Sequence, residues 1–580
     1  MSKNEKKEPF TNEIIDIPKL EKENPNKNDN KCLIALVAIF VISVILSVII
    51  TLNSSSEDKE SDNKFIAKYK VNNKNEKIIL FNSNYLSSIS SIKINGVSSE
   101  LSYYHYFENI GDYDVEVELN TTLETLDEMF YNCENLIEIN LSSIKELKPK
   151  SMIRTFSGCK SLTSFNLENI DTSQTENITG LFKDCSSLTS IDLNKMDTSQ
   201  VKDISEMFSG CNSLTSIDIS KFQISNVLNM HGLFEYTSLI SVDINNLDTS
   251  NVKDMSNLFF KCASLKKIGI SKIKASKLEN MSQMFSGCES LTSIDLNNFE
   301  TSNVNSMKGI FENCKSLAEI KIDKLIVTNV IDMSYMFYYC SSLKSLYLDT
   351  FITIKLKNMA FMFSGCSSLI ELSMKNFDTS NVENMANTFT SCDKLKTIDI
   401  LNFKTSKVKN FYGIFSKCTS LSNINLDNFD VSNTEDLSAM FYQCKSLTSL
   451  NLNNFKTSNV LNMNSMFGGC SSLNNIDLTN FDTSKVTDMS YMFSGCSSLS
   501  SINLSRFKTS QLKNINQMFR DCSILTSIDL SSFNLKNIDI IFGTFYGLPN
   551  NGIILLDLKN IPKNIINEIP KNWTINEKSN

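Results

Sequence analysis

Residues 473–498 read LNNIDLTNFDTSKVTDMSYMFSGCSS, and close copies of this stretch recur through most of the 580-residue chain. Its cysteine, Cys496, belongs to a series at 133, 159, 185 and 211, then at 262, 288, 314 and onward to 522. The interval is 26 residues apart from one gap of 51. In that gap the segment FEYTSL places Tyr236 on the cysteine position after a one-residue deletion, which gives about 16 repeats. A phenylalanine stands three residues before each cysteine, from Phe130 to Phe519, and a leucine three after it, from Leu136 to Leu525. Fixed self-similarity at this period is the mark of a stacked array whose units cannot bury their apolar residues alone.

The two halves of the unit differ in periodicity. In L-x-x-I-x-L the last two apolar residues alternate, as in a short strand with one face inward. In V-x-x-M-x-x-M-F apolar residues recur every three or four, which predicts a helical or 3-10 turn opened by an Asp or Asn cap. The D-T-S-N segment between them predicts a turn. The expected fold is an α/β repeat solenoid: a right-handed, leucine-rich-repeat-like parallel β-strand array with short helical or 3-10 turns. No proline occurs between Pro149 and Pro549, as a continuous hydrogen-bonded ladder requires.

Outside the array the chain divides by composition. Residues 33–52, LIALVAIFVISVILSVIITL, carry no charge. At 1.5 Å per residue they reach about 30 Å, one hydrocarbon thickness. Lys22, Lys27 and Lys31 precede them and Glu57-Asp58-Lys59-Glu60 follows. The positive-inside bias therefore predicts a single-pass plasma-membrane protein with its N-terminus in the cytoplasm and its repeats outside the cell. Residues 1–31 are expected as a disordered cytoplasmic tail, 53–64 as a polar stalk and 65–116 as a β-rich N-terminal cap. The solenoid is expected over 117–548 and a C-terminal cap over 549–580. Sequons at Asn53, Asn120, Asn140, Asn177, Asn280, Asn503 and Asn572 matter only in a cell that glycosylates its surface proteins.

Composition excludes most chemistry. With two histidines, His105 and His231, the chain lacks the usual general base and metal ligand. A net charge of -8 offers no basic field for nucleic acid. The cysteines have neither paired C-x-x-C spacing nor histidine neighbours, so zinc is not expected. Adjacent rungs would bring cysteine Cα atoms within bridging range, yet laddered side chains point in parallel. They are read as buried apolar wedges rather than disulfides, and Met207, Met284 and Met492 as core. Neither cofactor nor metal is expected.

The position between the two alternating strand residues points outward. From Asn140 to Asp529 it is mostly Asp or Asn, including Asp192, Asp218, Asp243, Asp295, Asp399, Asn425, Asn451, Asp477 and Asn503. A solvated polar face whose Asn side chains bond along the stack is the plain expectation. Calcium between successive carboxylates and a glycosidase carboxylate pair are the sharper alternatives, with one carboxylate per rung and no cleft to support them.

The pattern TSNVxxMxxMFxxCxSL with LxxIxLxxF resembles the BspA-like leucine-rich repeat surface proteins over roughly residues 117–548. The resemblance implies a leucine-rich-repeat solenoid without enzymatic activity, displayed on a cell surface for adhesion or for contact with host or matrix. The expected function is thus binding of an extracellular protein or glycan at the cell surface. The alternative is a passive structural or antigenically variable coat protein. The outward Asp/Asn series is interrupted at Gly269, Lys321, Tyr347 and Ser373. The same rungs hold Lys266, Lys267, Lys344, Tyr338 and Tyr339, so Lys266, Lys267, Lys321, Tyr338, Tyr339, Lys344 and Tyr347 form the candidate ligand-binding patch.

Overall fold

The half-repeat V-x-x-M-x-x-M-F is neither helical nor 3-10; it is a ribbon of tight turns. In the rung containing residues 488–496, Met492 N–H donates to Met489 O (3.2 Å), Ser494 N–H to Tyr491 O (3.1 Å) and Cys496 N–H to Phe493 O (3.0 Å). The intervening donors leave the rung: Met489, Tyr491, Phe493 and Gly495 N–H bond to Asn514, Asn516, Met518 and Arg520 O at 2.7–3.0 Å. Alternate backbone groups therefore close their own turn or join the next rung, and a buried strip leaves no peptide unsatisfied. A helix would turn all its N–H groups back into its own segment and have none for a neighbour. The price is a left-handed residue at two places per rung, here Tyr491 (φ 58°) and Gly495 (φ 73°).

The structure, a computed structural model, describes residues 63–144, 147–165 and 170–578. The expected tail 1–31 and membrane span 33–52 lie outside the described residues, as does the stalk up to residue 62. Among the described residues no helix is long and apolar enough to cross a membrane. Asn63–Asn580 constitute one unit, a leucine-rich-repeat-like β-solenoid with very little helix. Successive rungs are joined by single parallel bridges from Ser151–Asn177 through to Asn514–Ile540. The L-x-x-I-x-L half forms three-residue parallel strands in part of the array, such as Ser293–Asp295 on Glu319–Lys321 and Ser345–Tyr347 on Glu371–Ser373.

Inside, identical side chains stack on copies of themselves. The phenylalanines run unbroken from Phe130 to Phe545, neighbouring ring centroids 5.5–6.0 Å apart. That is the offset spacing at which aromatic pairs attract. Leucines, methionines and cysteines fill the remaining inner columns and are fully buried. Every cysteine from Cys133 to Cys522 is free. Its thiol also does more than fill space: Cys159 Sγ lies 3.1 Å from Phe130 O and Cys340 Sγ 3.1 Å from Phe311 O, one rung back. In the shortened rung the cysteine position belongs to Thr237, not Tyr236. Thr237 is buried and its hydroxyl donates to Phe234 O (2.8 Å), whereas Tyr236 is exposed with φ 57°. The deletion falls in the turn after Thr237, so the phenylalanine register survives.

Threonines of the D-T-S segment clip consecutive rungs together. Thr405 Oγ1 accepts the N–H of Asp430 (2.7 Å) and donates to Asp430 O (2.9 Å). Thr301 treats Ile326 in the same way, with both distances 2.8 Å.

Both ends of the array are covered. Strand Lys64–Val71 lies antiparallel on Leu136–Asn140 of the first rung and on Gly111–Leu119, burying Phe65, Ala67, Tyr69 and Val71. The 3-10 turn Ser83–Ser88 covers the turn ribbon of that rung: Asn82 N–H bonds Met129 O (2.7 Å) and Tyr85 Oη bonds Asp127 O (2.9 Å). At the other end Ser527–Leu530 is followed by parallel strands Ile553–Leu556 and Thr574–Glu577. Trp573 Nε1 donates to Pro549 O (2.8 Å), and a Cβ on Gly552 would meet the Trp573 ring at 2.5 Å.

Candidate ligand-binding face

The outward Asp/Asn series has a local job. Asp243 Oδ1 accepts Asn245 N–H (2.9 Å), Asn425 accepts Asp427 N–H (2.9 Å), and Asp477 accepts Thr479 N–H (2.9 Å). Each side chain closes the turn that follows its strand, as Asx turns do. Only the Oδ1 acceptor is used, so Asp and Asn interchange freely. These turn bonds run within a rung; along the stack, as the sequence leads one to expect, Asn451 Nδ2 also donates to Asp427 Oδ1 of the preceding rung (3.0 Å). The D-T-S segment repeats the device, with Asp430 Oδ1 accepting Ser432 N–H (2.9 Å). So does the start of the turn ribbon, where Asp488 accepts Ser490 N–H (2.7 Å). Among the described residues no cluster of His, Cys, Asp or Glu has the arrangement of a metal site.

At three of the interruptions a side chain of the preceding rung binds the turn instead. Asn245 Oδ1 accepts Lys272 N–H beyond Gly269 (2.9 Å), Asn297 accepts Lys324 N–H beyond Lys321 (3.1 Å), and Asp349 accepts Lys375 N–H beyond Ser373 (3.0 Å). A Cβ at Gly269 would meet Asp243 Oδ1 at 2.3 Å, so glycine there admits the neighbour's side chain. These rungs have lost the usual outward residue while keeping their turns. The residues that replaced it no longer close their own turn; Ser373 Oγ donates to Asp349 Oδ1 of the preceding rung (2.6 Å).

The candidate patch separates into two places. Lys266, Lys267 and Lys321 line one groove of about 320 Å³ with Ser293, Asp295 and Glu319. Lys321 and Tyr347 line the adjoining groove of about 470 Å³ with Glu319, Asp323 and Ser345. Lys344 is exposed earlier on the rung of Tyr347 and lines neither groove. Tyr338 and Tyr339 belong elsewhere, on the turn ribbon. Their rings pack 4.6 Å apart, and Tyr338 also meets Tyr335 (5.4 Å) and Phe361 (5.9 Å). Tyr339 is a left-handed residue whose ring lies under Gly365, a reason of packing for that tyrosine.

Acids stand among these residues: Asp295, already in the outward series, and Glu319 and Glu371, which the reading of the sequence left out. Lys321 pairs with Asp295 (3.6 Å), and Tyr347 Oη donates to Glu371 (2.5 Å), which raises the tyrosine pKa. Glu319 and Glu371 occupy the first position of their strands, a column that registering the rungs on their cysteines exposes. The face is thus cationic, acidic and aromatic in turn, and suits a ligand with charged groups in a set order.

Family models match almost the whole array. The model described as "Mycoplasma protein of unknown function, DUF285" matches residues 124–246, 237–351, 342–450 and 435–552. The model described as "BspA type Leucine rich repeat region (6 copies)" matches 62–172, a span that begins in the N-terminal sheet. A search of curated proteins gives no match. Among solved structures, a leucine-rich repeat protein from Eubacterium ventriosum is 16% identical, with 67% of this chain and 83% of that chain covered and a TM-score of 0.27. The functional domain of InlJ from Listeria monocytogenes, which includes a cysteine ladder, is 12% identical over 75% of this chain and 72% of its own (TM-score 0.21). The pneumococcal vaccine antigen PcpA is 12% identical over 74% and 85% (TM-score 0.20).

Proposed function

The chain belongs to the DUF285 family, and from that premise we propose that it is a surface-displayed, non-enzymatic ligand-binding protein that serves adhesion to host, matrix or other cells. Residues 33–52 anchor it in the plasma membrane, 1–31 remain in the cytoplasm, and the solenoid faces outward. The lysine bias around the span supports this orientation.

One observation carries the binding role. Inner columns repeat from rung to rung, whereas the outer strand position changes to Gly269, Lys321 and Ser373 in rungs whose turns are held by the neighbour, and to an exposed Tyr347 between them. A passive coat needs no such local departure. Exposed tyrosine beside lysine supplies the contact area and charge of a binding hot spot, and repeat arrays bind on extended faces.

The test is an array of matrix proteins and glycans probed with the full-length protein and two double variants. Tyr347→Ala with Lys321→Glu should abolish capture. Asp399→Asn with Asn425→Asp retains both turn acceptors and should leave capture unchanged. Absence of capture by the native protein, or equal loss in both variants, would overturn the reading.

A further inference from the structure

We propose that the rung starting at Cys262 is a cationic band that binds a linear polyanionic polysaccharide, laid along the rung across Lys266, Lys267, Lys272 and Lys274. The proposal deepens the ligand-binding reading above and rests on it.

Elsewhere in the solenoid some lysines are neutralised by a carboxylate one rung away. Lys202 meets Glu176 at 2.6 Å, Lys160 meets Glu134 at 2.7 Å, Lys315 meets Glu289 at 2.7 Å, and Lys409 meets Glu383 at 3.4 Å. Residues 262–278, CASLKKIGISKIKASKL, hold five lysines and no acid. Among the described residues, no carboxylate lies within 4.0 Å of the amino group of Lys266, Lys267, Lys272 or Lys274. All four are exposed. Lys266 and Lys267 open the strand segment and line the groove described above. Lys272 and Lys274 follow beyond Gly269, where Asn245 of the preceding rung holds the Lys272 N–H and so fixes the path of the turn. A turn at Ser271 and Lys272 separates the first pair of lysines on the strand segment from the second pair beyond it.

The flanks decide the shape of the ligand. Asp243 and Asp295 stand on either side of Gly269 in the strand register. Asp248 and Glu300 occupy the column of Lys274 in the rungs before and after it. Rungs are about 4.8 Å apart, so positive potential is confined to a strip one chain wide. The acidic surface of a folded protein would cover those carboxylates as well and be repelled. A single-stranded nucleic acid needs aromatic platforms for its bases, and residues 262–278 contain no aromatic side chain. An acidic peptide would pay the full entropy of ordering a flexible chain for a few point charges. A pyranose chain is stiff beforehand and places its anionic groups in a row. Lysines, as flexible point charges, suit such spacing without demanding bidentate geometry.

The test uses full-length protein on immobilised heparin, with dextran sulfate and polyglutamate as soluble competitors. Lys266→Gln, Lys267→Gln, Lys272→Gln and Lys274→Gln together should weaken retention about tenfold or more, because the charges act on one ligand at once. The dispersed set Lys404→Gln, Lys445→Gln, Lys456→Gln and Lys508→Gln changes net charge equally and should cost less than about threefold. Four Lys→Arg changes in the band preserve charge and should restore retention. An unchanged melting temperature of the glutamine set shows that its loss is not misfolding. Equal loss in both glutamine sets would overturn the proposal, as would no retention of the native protein or polyglutamate competing as well as dextran sulfate at equal charge. Binding of purified protein to a polysaccharide is independent of where the repeats reside in the cell. A negative result here therefore leaves surface display standing, and repeats found inside the cell would leave this result standing.

Discussion

Replacing Cys340 by alanine tests whether the cysteine column is a packing element or a cross-link. The side chain is fully buried, with Cys314 and Cys366 as neighbours in the column, and burial pushes its thiol well above the ordinary cysteine range. Cys366, Cys418 and Cys470 are pushed up to about 12 by the same cause. Removing the sulfur forfeits about 1 kcal/mol of transfer free energy and about 0.5 kcal/mol for the small void. The contact from Sγ to Phe311 O adds about 0.5 kcal/mol, since a thiol is a weak donor. Phe311 O is not orphaned, because Cys314 N–H still donates to it at 3.1 Å. The expected loss is about 2 kcal/mol in a urea titration of the full-length protein. Cys340→Ser should cost no more than alanine, because Thr237 already places a hydroxyl at this position with a carbonyl acceptor. Native protein should resist thiol alkylation until the rungs open, and reductant should leave the melting temperature unmoved. A loss above about 5 kcal/mol, or a large fall in stability on reduction, would refute the wedge account.

Phe337→Ala should cost about 3–5 kcal/mol, and amide exchange should quicken in the adjoining rungs while distant ones hold, because each rung touches only its neighbours. Thr405→Val removes both bonds to Asp430 and should cost about 1–2 kcal/mol by urea titration; the valine shape is acceptable there, since Val431 fills the column one rung on. Asp430 is held below the usual carboxylate range, chiefly by its hydrogen bonds to Ser432. Its contribution is therefore complete above the unfolded pKa near about 4 and is lost as pH falls through the lower folded value. Asp430→Asn keeps the acceptor, so its melting temperature should fall less than that of the native protein over this acid range. Lys202→Ala breaks an ion pair whose members are both more than half exposed, and should cost under about 1 kcal/mol.

The inner columns were legible because burial leaves few choices. Phe208, Cys288 and Leu343 recur at fixed offsets and all lie inside. The turn ribbon was misread for a physical reason. Val486, Met489, Met492 and Phe493 repeat every three or four residues, and helices and serial turns both place such residues on one side. A signal against the helix was present in two columns rich in glycine and asparagine. One holds Gly180, Gly309 and Asn387, the other Gly158, Gly287 and Asn313, and all have positive φ. The Asp/Asn face was visible, but its purpose depended on a bond to the residue two places on, which composition does not reveal. Tyr338 joined Lys321 in the sequence by proximity of rung, whereas the rung turns a corner between them. The acids Glu319 and Glu371 went unremarked because each looks like ordinary surface until its cross-strand partner is known, and Asp295 was visible in the outward series but not its pairing with Lys321.

Display of the repeats outside the cell is the claim on which the functional account depends. Protease added to intact cells should remove epitopes in residues 117–548 and spare a tag placed before residue 31. Repeats that stay protected until the cells are lysed would contradict it.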